Sequence, residues 1–492
     1  MIQIPLDRLL TVGLLLAAGL SPMAGAAEKQ AVPGDTLKEL TLLLEQQRCG
    51  ELLTRTSEWL REYPDDVDLL TLEGNCLLRE GRTVERKFDS ARYRLLRLAS
   101  DKDKLPPAVG QRLFRASYRY GDQARLEQAL ELFRRALQLA PERQDIVVGT
   151  IAVHIDAGQI DQAIGLLEAH ASSLAVVAHR DLGQLVQDQL RRGQLDQALR
   201  LAEALVRTLP DSPQSHAALA LVREQQGLAL EAMEAYARSV ALGNRHPQVL
   251  RELAMLQMVG GRLKEATTTL VPLASSDGEL ELWLALVRSV AGNASAIPVW
   301  DKVAARLAHQ EKPDSRALGL IDHYHRLLAS DKRASAAMRL RGARHFIGQR
   351  MEIPALIEAI AATRQDPSLI EGWLMLARFH RNALRFDMAL EALDGARTAA
   401  LSLGPDSPYG PAEIDLQKVQ VLLGLERFQP AAELAEQITE HSIDTRFEQA
   451  LAALGMGQEK RAVKMLTEVA QSSSRHQAEA TALLQELGGE AP

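Results

Sequence analysis

Aromatic residues are scarce in this chain, at 4 %. That argues against a domain built from sheets, whose strands draw on aromatic and β-branched side chains. Cysteine is scarcer still, with two in 492 residues, too few for a disulfide-scaffolded fold. Neither sign of charge dominates: 64 acidic and 57 basic residues give a net charge of -7, scattered in both signs, so the footprint of a nucleic-acid binder is missing. Catalytic signatures are missing as well. There is no His-Glu-x-x-His, no Gly-x-x-x-x-Gly-Lys-Ser/Thr loop, no Gly-x-Ser-x-Gly elbow and no alternation of strand and helix patterns. The sequence therefore implies no catalytic residues, no metal site and no cofactor, and points away from an enzyme.

Only one long apolar run exists. Leu9 to Leu20 covers 12 residues, followed by Ser21-Pro22 and small residues at Ala24, Gly25, Ala26 and Ala27. Apolar core, breaker and small-residue site in that order read as a secretory signal, cut after Ala26 or Ala27. The alternative is an uncleaved inner-membrane anchor, although the run falls short of the ~20 residues that a spanning helix needs. Export places Cys49 and Cys76 in an oxidising space. They lie in the first two helical hairpins and form either a disulfide stapling those hairpins or two buried thiols.

What is abundant is Ala, Leu, Glu, Gln and Arg, the material of closely packed helices. Ala129, Ala163, Ala198, Ala232 and Ala266 follow one another at 34, 35, 34 and 34 residues, and Gly158, Gly193, Gly227 and Gly261 keep step upstream. Around Gly193, the apolar positions Leu182, Leu185 and Val186 form one helical stripe, repeated by His216, Leu219 and Ala220 and by Leu250, Leu253 and Ala254. Ala129/Phe133/Ala136 and Ala232/Tyr236/Ser239 supply alternating small and large partners on the following helix, and Pro141, Pro210 and Asn244 close their units.

This pattern resembles the tetratricopeptide repeat family, most specifically at Gly193-Gln194-Leu195-Asp196-Gln197-Ala198 and Gly261-Arg262-Leu263-Lys264-Glu265-Ala266. The resemblance implies an all-α, right-handed superhelical solenoid of roughly eleven stacked antiparallel hairpins, in two halves joined by an irregular segment. The divisions read as a signal peptide (1–27), a linker (28–35), degenerate hairpins (36–107), a regular block (108–274), an irregular helical segment (275–345), and further hairpins with a capping helix (346–492). The second hairpin is expected over Val67 to Ser100, turning at Glu80-Gly81-Arg82, with Arg86 where its second helix would carry alanine. Tyr120 is the one residue to supply the aromatic often seen at position 11 of a unit. Trp373 marks the return of clear units after the irregular segment.

By resemblance, positions 2, 5, 9, 12 and 13 of each first helix line a concave groove that takes a peptide or a partner helix. In the central units these are Gln187, Leu190 and Arg191; Gln214, Leu221, Glu224 and Gln225; and Gln248, Arg251, Met255, Met258 and Val259. The last set invites two readings. Met255 and Met258 form an adaptable apolar floor with Arg251 as a carboxylate contact, or they pack beneath the irregular segment that follows. The lysine at position 5 and asparagine at position 9 that family members use to clamp chaperone tails are missing. Those positions read Phe114, Val148, Gly183, Ala217 and Arg251, and Tyr118, Ala152, Gln187, Leu221 and Met255.

The implied function is a non-enzymatic periplasmic scaffold with protein partners, meeting membranes only through them, within an envelope assembly such as polysaccharide export or pilus and secretion machinery. Two alternatives stand: an inner-membrane-anchored regulator, and a ligand or enzymatic site hidden in 275–345 around His323, His325 and His345. On a helix His323 and His325 diverge by about 200°, which suits solvated histidines better than shared metal ligands.

Overall fold

The computed structural model describes residues 32–81, 84–88, 116–120, 123–174, 176–274, 277–291, 294–309, 315–329, 335–438 and 442–487. Residues 1–27, expected to be a signal peptide, lie outside them. The protein is an all-α helical repeat array, with 24 helices and one two-stranded sheet among the described residues. None of these helices is long and apolar enough to cross a membrane. The chain divides into two compact units at Ala218/Leu219.

In the first unit, α1 (Gly34–Glu45) and α2 (Cys49–Glu62) form a hairpin against α3 (Val67–Gly81). Cys49 opens α2, Cys76 lies within α3, and the two are joined by a disulfide with Cα atoms 5.4 Å apart. Both sulfurs belong to a buried cluster with Leu40, Leu52 and Leu69. The next step departs from the expected hairpin over Val67 to Ser100. Val84–Phe88 (β1), which contains Arg86, is a strand paired with Ala116–Tyr120 (β2), and residues 89–115 lie outside the described set. Tyr120 is thus in a strand, not at position 11 of a helix. The partner of α3 is α4 (Gln123–Leu139), so residues 82–122 interrupt one hairpin between its two helices. Phe133 of α4 shows why that pairing holds. Its ring fills the space beside Gly74 of α3 and Gly149 of the following helix, where an added Cβ would come within 2.9 Å and 2.4 Å of it.

Then come α5 (Gln144–Asp156), α6 (Ile160–His170), α7 (Val176–Arg191), α8 (Leu195–Thr208) and the start of α9 (Pro213–Gln226). Helix α5 is buried nearly all round, from Ile146 to Asp156. A helix without a polar face belongs inside a stack. Its terminal Asp156 forms a buried ion pair with Arg192 beyond the end of α7. On the second helices, Arg200 pairs with Asp161 and Arg207 lies 2.8 Å from Glu168, each partner 39 residues back and the two arginines two helical turns apart.

The second unit continues α9 and adds α10 (Ala229–Ala241), α11 (Pro247–Val259), α12 (Leu263–Leu270), α13 (Gly278–Val290), α14 (Ile297–Ala308) and α15 (Ser315–Ala329). It then has α16 (Ala336–Gly348), α17 (Glu352–Gln365), α18 (Ile370–Asn382), α19 (Phe386–Leu403), α20 (Pro411–Gly424), α21 (Phe428–Gln437), α22 (Ile443–Gly455), α23 (Glu459–Ala470) and α24 (Gln477–Glu486). Nine of the hairpins turn tightly through a left-handed residue. Gly158, Gly193, Gly227, Gly261 and Gly457 fill that place at φ of 72–81°. Gln47, Arg350, Leu384 and Glu426 fill it at φ of 57–63° without being glycine.

Irregular in sequence, 275–345 contributes helices α13, α14 and α15 to a shared core. Trp300 stacks on Tyr324 with ring centroids 5.4 Å apart, and its indole N–H donates to Ser289 Oγ at 2.8 Å. At the centre of the second unit runs α17, buried without a break from Pro354 to Thr363. It forms a hairpin with α16 and also packs on α11 and α13.

Candidate partner-binding groove

The expected groove divides into an open and a closed part. In the first unit, Gln187 and Leu190 are half-buried on α7, Arg191 is exposed and pairs with the buried Asp188, and Gln214 is half-buried at the start of α9. Solvent reaches this face, and its chemistry is mixed: amide, leucine and guanidinium.

In the second unit, Leu221 and Glu224 are half-buried and Gln225 is exposed on α9. Tyr236 of α10 donates to Glu224 at 2.7 Å; burial, and then the adjacent carboxylate, push the phenol far above its ordinary range. On α11, Gln248 is exposed and donates to Glu252, whose carboxyl is raised by burial.

The remaining expectation is corrected. Met258 and Val259 are 0 % and 2 % exposed and cannot form the floor of an open groove. Met258 shares a core with Trp283 and Trp300, and Val259 shares one with Leu356 and Ile360 of α17. Arg251 is not free for a foreign carboxylate. It lies 3.0 Å from Asp277, pairs also with Glu279, and stands 5.5 Å over the ring of Trp283. Met255 is half-buried under Arg385, whose guanidinium nitrogen lies 2.9 Å from its sulfur. These residues do pack beneath the following segment, and beneath α17 and α19 as well.

The three histidines of the hidden-site alternative do not converge on a metal. His323 sits edge-on to Tyr324 and Phe346 at 5.1 and 5.2 Å, and burial lowers its pKa. His345 contacts Phe346, while His325 Nε2 lies 3.5 Å from Asp301. No group of three or more His, Cys, Asp or Glu side chains that could hold a metal occurs among the described residues.

Sequence reasoning missed Arg385, Phe386 and Asp387, which approach the turn between α9 and α10 and the inner face of α11. Asp387 accepts from the backbone N–H groups of Ala229 at 2.9 Å and Leu230 at 2.7 Å, and the N–H of Phe386 donates to the carbonyl of Gly227 at 2.9 Å. Burial raises the Asp387 carboxyl and lowers the Arg385 guanidinium, the latter opposed by Glu224, Glu252 and Glu352.

Stacked hairpins with left-handed turns and apolar interiors make this a helical-repeat array. The tetratricopeptide repeat family model matches residues 122–174, from the α4 region through α6. No curated protein matches the chain in sequence. Among solved structures it is similar to yeast Tom70, at 13 % identity over 92 % of this chain and 94 % of that one, with a TM-score of 0.27. It is also similar to the APC/C hetero-tetramer Cut9–Hcn1, at 12 % identity over 93 % and 96 %, with a TM-score of 0.27.

Proposed function

We propose that this protein is a non-enzymatic scaffold of the periplasm that holds protein partners within an envelope assembly, such as polysaccharide export or pilus and secretion machinery. The observation that carries the interaction role is the open first-helix face of the first unit, where Gln187, Leu190 and Arg191 offer mixed polar and apolar contacts on a repeat scaffold. Two features support export: the apolar run Leu9 to Leu20 with its small-residue site, and the buried Cys49–Cys76 disulfide, a bond that persists in oxidising compartments.

Cell fractionation with amino-terminal sequencing tests the location. A mature chain starting after Ala26 or Ala27 in the periplasmic fraction is expected, and an intact Met1 sinks the cleaved-signal reading in favour of the anchored regulator. Cross-linking from a photoreactive residue at Arg191 tests the surface. Adducts with a defined envelope protein are expected, and a chain that stays uncross-linked under native salt counts against this face.

A further inference from the structure

Repeats in a solenoid ordinarily touch only their neighbours. The second unit breaks that rule where α19 meets α10 and α17 meets α11. Helix α10 begins at Ala229 after Leu228, which offers no side-chain oxygen to its first free N–H groups. The missing cap comes from Asp387, 158 residues away from Ala229 and 157 from Leu230.

The residues beside Asp387 complete the contact. Phe386, 7 % exposed, anchors its N–H on the Gly227 carbonyl. Arg385 reaches Met255 amid the carboxylates of Glu224, Glu252 and Glu352. The Met388 methyl approaches Gly260, where an added Cβ would lie 3.2 Å from it. Arg385 and Asp387 thus meet carboxylates and a helix N-terminus with complementary charge, while the Phe386 ring lies against Gly424 of α20.

We propose that the face formed by the α9–α10 turn and α11 is a protein-binding site occupied in cis by the Leu384–Met388 turn. The partner that displaces it presents the same charged pair: a guanidinium and, two residues on, a carboxylate at the start of a helix. The inference rests on the scaffold reading above for the existence of a partner, but the occupied site is measurable without one.

The test uses the full chain and its Asp387→Ala variant. Amide hydrogen exchange is followed through α10 and α11. Binding of an acetylated peptide of residues 383–394, and of the same peptide with Asp387→Ala, is measured by fluorescence anisotropy. Release of the turn is expected to speed exchange at least about tenfold in α11, which Asp387 does not cap, as well as at Ala229 and Leu230. The unsubstituted peptide is expected to bind the variant at least about tenfold more tightly than it binds the wild type, and more tightly than the substituted peptide does. Faster exchange confined to Ala229 and Leu230, or peptide binding that is absent or insensitive to Asp387, shows a fixed packing contact and overturns the proposal. Asp387→Asn keeps an oxygen for one of the two N–H groups. It is expected to respond in the same direction and more weakly, and it replaces the alanine variant if that chain loses its helical circular dichroism. Failure to find an envelope partner bears on the scaffold reading, whereas failure of these two measurements bears on the cis occupant.

Discussion

Arg339 and Glu358 face each other across 3.1 Å with 11 % and 1 % of their side chains exposed, joining the irregular segment to the hairpins that follow it. The same carboxylate accepts from the Tyr324 hydroxyl at 2.6 Å, so one buried charge ties α15, α16 and α17 together. Removing one member strands the other: Arg339→Met is expected to cost about 3–5 kcal/mol. Urea unfolding followed by tryptophan fluorescence measures it, and a loss below about 1 kcal/mol would show that water reaches Glu358.

Glu448 on α22 supplies a pH dependence. It is buried and accepts from Gln420 at 2.8 Å, and burial raises its pKa to about 7 from 4.5. The folded chain therefore holds a proton that the unfolded chain releases above 4.5, so this group's contribution is complete below 4.5 and lost as pH rises through about 7. Glu448→Gln is expected to match the wild type near pH 4.5 and to exceed it by about 3 kcal/mol above pH 7. Equal stability of the two chains at pH 8 would refute the assignment.

Gly149→Ala tests the packing of Phe133. Helix propensity favours the substitution by about 1 kcal/mol, yet the new Cβ would lie 2.4 Å from the Phe133 ring. A net loss of about 1–3 kcal/mol is expected. Combining it with Phe133→Leu should recover part of that loss in a double-mutant cycle, and strict additivity would place the clash elsewhere.

Arg350→Gly and Gln47→Gly should each stabilise the chain. Both residues are exposed and hold left-handed turns at φ of 57° and 63°. Relief of the Cβ penalty is worth about 1 kcal/mol at each site, read as a higher melting temperature. Unchanged or lower melting temperatures would mean that the side chains earn their place.

Those same turns explain what the sequence disclosed and what it hid. Where glycine marks the turn, from Gly158 to Gly261, the hairpins can be read from the period alone. Ala355 and Ala389 keep the same spacing of 34, but Arg350 and Leu384 stand where glycine is expected, so the division at 345/346 falls within α16 and cuts the α16–α17 hairpin. Helix α17 is buried on every side and so shows no polar stripe to orient it. The cap that Asp387 gives to α10 leaves no trace in any local pattern, because its partners lie in another repeat. The solvent-facing positions on α7 could be read for the opposite reason: their exposure depends only on adjacent repeats.

The Cys49–Cys76 bond has a mechanical corollary. Load applied along the chain passes from one sulfur to the other, so the residues between them are shielded from extension. With a separation of 27 residues, reduction should release about 90 Å of additional contour length in a single-molecule pulling trace. In an assembly under tension, the segment from Cys49 to Cys76 would then act as an inextensible link within an otherwise elastic array.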